Sequence, residues 1–223
     1  MEKLIYILSA LLIMAISVGV MYLFVTNREK ELTGVKDYFR YAFDKKKMTL
    51  CSITFGVSVF VLMYSFYFVE ASFLKSFMNA EVAIWLSILA YIDCKERIIP
   101  NELILTGITF WIILTLVEIF VAHTSWKQIL FFSFVGAGVC GGVLFIIALI
   151  VKNALGMGDV KMFFVIGLLY GMTNTYSILL FSVIAMAIVS VVLLIRKKVT
   201  YKTAIPMAPY VVLGFLINVL VGM

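Results

Sequence analysis

Long apolar runs separated by short polar breaks organise the whole chain. A helix needs about 20 mostly apolar residues to cross the hydrocarbon core of a bilayer. By that ruler the pattern predicts eight spanning helices, at roughly 4–26, 49–69, 77–93, 101–122, 128–151, 158–171, 175–195 and 204–222. The expected fold is an all-α membrane protein, a polytopic bundle of about eight transmembrane helices. Two N-terminal helices and a basic connector would occupy residues 1–76, and a six-helix core residues 77–223. The first run follows Lys3, exceeds the length of a secretory h-region and is followed by Asn27, Arg28, Glu29 and Lys30 rather than a small-residue cleavage site. It therefore reads as an uncleaved helix. Two spans are short: clean apolar sequence covers only Val82 to Ile92 in the third and Val160 to Tyr170 in the sixth, with Lys161 inside the latter. Eleven residues rise only about 17 Å, so membrane width draws the flanking Asp93 and Asp159 to the membrane edge.

Composition supports lipid as the main solvent: 64% of the 223 residues are hydrophobic and 13% charged, where a soluble domain has about 25% charged. The net charge of +6 matters through its distribution. Segments 27–48, 94–100, 152–161 and 196–203 carry seven, two, two and four Lys or Arg, 15 of the 18 in the chain. The positive-inside rule assigns these alternate loops to the cytoplasm, with both termini outside. Basic residues dispersed in this way are a topology signal and give no reason to expect nucleic acid. The connector 27–48 reads either as an amphipathic helix on anionic lipid or as a solvated loop. Cys51, Cys94 and Cys140 form no CxxC pair, so neither a zinc site nor a disulfide framework is indicated. No metal or cofactor is expected. His123, beside Thr124 and Ser125, reads as a loop residue.

Carboxylates at membrane depth are costly and mark functional sites. Asp93 and Asp159 lie on different helices, on the same predicted side and at similar depth. Two carboxyls that meet can share one proton. The ionised member then activates water and the protonated member donates to the scissile carbonyl or leaving amine. Gly156 and Gly158 flank Met157 just before Asp159; glycine there would free the backbone for unusual conformations and for close approach of a substrate strand. On its own this G-x-G-D also reads as a loop with a helix N-cap aspartate. Pro100 is suited to open the helix after Asp93, with Asn101 and Glu102 at its interface. Membrane carboxyls also serve proton relays, so a proton-coupled transporter is the alternative reading.

Three stretches carry a family resemblance. Asp93 to Asn101, ending Ile99-Pro100-Asn101, resembles the first catalytic motif of type IV prepilin peptidases. Gly156-Met157-Gly158-Asp159-Val160-Lys161 resembles their G-x-G-D motif with its following lysine. Ile205-Pro206-Met207-Ala208-Pro209-Tyr210, with Gly214 after it, resembles their proline-containing last helix. The motifs keep the family's order from about residue 77 onward. The resemblance implies a membrane aspartyl peptidase of the prokaryotic cytoplasmic membrane with Asp93 and Asp159 as catalytic pair. Gly156, Gly158, Lys161, Pro100, Asn101 and Glu102 would shape the site or meet substrate. Its partners would be prepilin, pseudopilin or preflagellin-like precursors, cut at the cytoplasmic face. Many members carry two zinc-binding CxxC pairs after the first helix and methylate the product; the corresponding stretch here is short and has no cysteine. The resemblance thus extends to proteolysis and leaves methyl transfer open. A non-enzymatic pilus assembly component is the remaining alternative.

Overall fold

The computed structural model describes residues 2–33, 45–120, 125–150, 156–196 and 205–222. Every regular element among them is helical: α1 (Glu2–Thr33), α2 (Lys45–Tyr67), α3 (Phe73–Glu96), α4 (Asn101–Phe120), α5 (Trp126–Ile150), α6 (Met157–Ile195) and α7 (Ala208–Val221). Six of them, α1 to α6, contain stretches long and apolar enough to cross a membrane. Large apolar side chains such as Leu12, Phe131, Phe132 and Ile188 are more than half exposed, as expected where lipid is the solvent. The chain is a multi-pass membrane protein. Its hydroxyls are largely consumed inside their own helices: Ser52, Ser87 and Ser190 donate to the carbonyls of Met48, Ala83 and Met186 at 2.9, 2.7 and 2.6 Å. That bonding removes the cost of a polar group in hydrocarbon.

The expected count of eight spans is corrected. The predicted sixth and seventh helices are both present as the two arms of α6, which meet without a connector at Gly171, whose backbone is not helical (φ 68°, ψ −171°). Thr175 Oγ1 donates to the carbonyl of Ile166, nine residues earlier, at 3.3 Å. In a straight helix that separation would be about 13.5 Å, so the chain folds sharply at this one residue. The first arm, 157–170, is about 21 Å long. The predicted eighth span is the 14-residue α7, also shorter than the bilayer. The third span is longer than its clean apolar run: α3 continues through Asp93 to Glu96. The basic connector is helical up to Thr33 and again from Lys45; residues 34–44, His123 and the basic residues Lys152, Lys197, Lys198 and Lys202 lie outside the described residues.

The chain divides into two compact units, one running to Ile88 and one from Leu89 to Val221. In the first, α1 packs on α2. Ala10, Met14 and Val18, four residues apart, form the buried stripe of α1. Asn79 Nδ2 donates to Ser65 Oγ at 3.0 Å. In the second unit, small residues let helices cross backbone to backbone. A methyl on Gly167 would lie 2.6 Å from Ala137 Cα, and one on Gly214 2.6 Å from the Ile178 carbonyl. Phe163, Ile166, Ile178 and Phe215 fill the space between these crossings and are fully buried. Close approach of this kind is how helices pack where lipid removes the hydrophobic drive. At Ala137–Gly141 α5 widens into a π turn.

Candidate active site

Asp93 lies in the last turn of α3, three residues before its end, and is only 6% exposed. Its own carbonyl accepts the N–H of Arg97 at 2.9 Å, and Arg97, at φ 57°, ends the helix in the left-handed region. Asp93 is thus a buried helical residue rather than a loop charge. Its Oδ2 accepts the backbone N–H of Ala208, the first residue of α7, at 2.9 Å, and the Met207 N–H donates to the same carboxylate. This bond completes the start of α7. The Met207 carbonyl accepts from Tyr210 and Val211, Pro209 has no N–H to satisfy, and Ala208 has Asp93. Met207 occupies the cap position, where its thioether cannot serve as the usual oxygen acceptor. The N–H of the first helical residue, which a cap side chain does not usually reach, goes to an acid from another helix.

Asp159 is half-buried in the first turn of α6. Gly156 is the cap residue of that helix (φ −73°, ψ 139°). Asp159 follows three positions later and its carboxylate accepts the Gly156 N–H. This is the reciprocal half of a capping box; the N-cap reading of Asp159 is therefore corrected by three residues. The charge on Asp93 is felt at Asp159, so the two carboxylates lie within electrostatic reach of each other.

The glycines work differently from the expectation. Neither Gly156 nor Gly158 has a positive φ, so neither needs glycine's conformational freedom. Gly158 needs its small size: a methyl there would lie 2.9 Å from Cβ of Ile99. A methyl on Gly156 would lie 3.1 Å from Asp159 Oδ2. Pro100 is buried and its carbonyl accepts from Ile104 at 3.3 Å; it stands one position ahead of α4, which begins at Asn101, rather than opening it. Asn101 and Glu102 are exposed in the first turn. Lys161 Nζ donates to Asn101 Oδ1 at 2.8 Å. The Ile99–Gly158 packing and the Lys161–Asn101 bond together join the first two motif segments.

Beside this junction runs a largely apolar groove of about 570 Å³, with Asn101, Met157 and Lys161 at one end and Gly138, Gly141 and Phe164 along it. The π turn forms part of its wall, a placement typical of functional sites.

A family model described as the type IV leader peptidase family matches residues 80–191. The chain belongs to that family. No curated protein and no solved structure gives a significant match. Family membership makes the chain a leader peptidase in general terms, and the match includes both aspartates and the whole junction between Ile99 and Gly158. Met207 and Ala208 lie beyond it. They are also the contact that sequence reasoning left out of the site. The available signal was Pro206 and Pro209 bracketing a helix start near membrane depth, where a free N–H needs an acceptor.

Proposed function

We propose that this chain is an aspartic endopeptidase that removes the basic leader from prepilin-like, pseudopilin or preflagellin-like precursors, with Asp93 and Asp159 as its acid–base pair. One carboxylate takes a proton from water as the water oxygen bonds to the scissile carbonyl carbon, and the other, protonated, donates its proton to the carbonyl oxygen. The first carboxyl then passes the water's proton to the leaving nitrogen as the C–N bond breaks, and a hydroxyl of the collapsing gem-diol returns a proton to the second. No covalent intermediate forms. The pair titrates as a unit, with apparent pKa values belonging to both residues. The observation that carries this reading is the family match, which spans both motif aspartates, in a chain that holds them within one compact unit.

The peptidase core in this reading spans residues 77–223, with Gly156, Gly158, Lys161, Pro100, Asn101 and Glu102 shaping the cleft or meeting the leader. The distribution of Lys and Arg supports an active site at the cytoplasmic face of a prokaryotic cell membrane. A precursor then keeps its basic leader in the cytoplasm while its apolar helix lies in the bilayer beside the groove.

The test is leader removal after co-expression with a candidate precursor, read as a mobility change on a gel. Asp93→Asn and Asp159→Asn are each expected to abolish cleavage while the protein still accumulates in membranes. Normal processing by both variants would overturn the assignment.

A further inference from the structure

Resting on the peptidase reading, we infer that the amino end of α7 is a positioning element for the reaction: the backbone N–H of Ala208 holds Asp93 in its working orientation. Four observations converge on it. Asp93 is 6% exposed and Ala208 fully buried, so water cannot replace the bond. The bond at 2.9 Å goes to one defined oxygen, Oδ2. The Met207 N–H donates to the same carboxylate. Pro209 carries no N–H and the Tyr210 and Val211 N–H groups go to the Met207 carbonyl, so Ala208 is the donor that the first turn of α7 offers to another element.

The chemistry follows from hydrogen-bond direction. An N–H can only donate, so Oδ2 is occupied as an acceptor. A proton carried by Asp93 is favoured on Oδ1, the oxygen that does not accept from Ala208. The carboxyl plane is fixed by a helix end rather than by a mobile side chain, which spares the reaction the cost of orienting it. The peptide nitrogen of residue 208 acts through Asp93 and does not itself touch the reacting atoms.

Removing that one hydrogen tests the inference. Ala208→Pro deletes the donor at the first helical position, where proline is tolerated, and leaves the Met207 carbonyl a full amide acceptor. Lactic acid incorporated at position 208 replaces the N–H by an ester oxygen without adding a ring, and serves if the proline variant does not fold. Val219→Ala, a cavity change in the same helix away from Asp93, is the control for plain loss of stability. With purified protein in detergent and a precursor peptide, both donor-deleted forms are expected to lose about tenfold in kcat, the effect of one hydrogen bond, with KM within twofold. Val219→Ala should leave kcat within twofold. In melting experiments the ester should lower the midpoint in the wild-type background and have no effect in Asp93→Ala.

A kcat unchanged by the ester, or an equal loss in Val219→Ala, would overturn the positioning role while leaving the peptidase reading intact. If the unaltered chain cuts no precursor at all, the peptidase reading falls first.

Discussion

Asp93 sends its carboxylate across to the first turn of α7, 115 residues away in sequence; Asp159 turns back onto the first turn of its own helix, three residues away. Both are held by backbone N–H groups at helix starts, where unsatisfied donors and the macrodipole favour an acid. The surroundings differ. The Asp93 bond is buried at both ends, whereas Asp159 is half-buried and its partner Gly156 is exposed. A tertiary clamp of the first kind fixes geometry only in the finished fold. A local cap of the second kind forms with the helix and can open without disturbing anything else. The difference suggests a division of labour, with Asp93 as the fixed member and Asp159 as the one that adjusts to substrate.

The largest expected effect sharpens that contrast. Lengthening the acid by one carbon should cost more at the clamped position: Asp93→Glu is expected to lose about 10²-fold in kcat, the scale of a 1 Å misplacement, and Asp159→Glu about tenfold. Equal losses in a steady-state cleavage assay would remove the distinction. Stability gives the second measure. Asp93→Ala leaves a buried N–H without an acceptor and should cost about 1–3 kcal/mol, whereas water replaces the Asp159 carboxylate at Gly156, so Asp159→Ala should cost about 0.5–1 kcal/mol. Thermal unfolding in detergent compares the two directly.

Packing around the G-x-G-D segment comes next. Gly158→Ala drives a methyl into Ile99 and should cost about 1–3 kcal/mol, with most of the loss recovered in the double variant Gly158→Ala, Ile99→Ala. Gly156→Ala meets only the movable end of Asp159, so its melting point should stay near wild type while cleavage slows a few-fold. The smallest effect belongs to the exposed Lys161–Asn101 bond. A double-mutant cycle of Lys161→Ala and Asn101→Ala should return a coupling of about 0.5 kcal/mol. A coupling of several kcal/mol would move this pair from joining the motifs to anchoring them.

How legible this was in the sequence depended on the range of each interaction. Apolar runs located α1, α2, α4 and α5 well, because span length is a property of consecutive residues. The same ruler ended the third span at Asp93, three residues short of α3's end at Glu96, since it stops at polar residues that a helix end can bury against protein. It expected a connector at 172–174, where a single glycine at φ 68° turns the chain. Both aspartates were readable as acids at the membrane edge. Their holders were not equally so: the cap on Asp159 is three residues off the expected one, but the partner of Asp93 is a backbone atom on a distant helix, and a backbone N–H has no identity in a sequence. The motif glycines were recognised for their chemistry and misread in their role, because conformational freedom and lack of volume have the same one-letter code.

The bond between Asp93 and Ala208 also has a bearing on biogenesis. A ribosome has to add 115 further residues after Asp93 before its partner exists, at a rate of about 5–20 per second. For those seconds the nascent chain holds an acid whose clamp has not yet been made. On the proposed reading, the peptidase therefore acquires its aligned acid only when α7 has formed and docked, a built-in delay between synthesis and proteolysis.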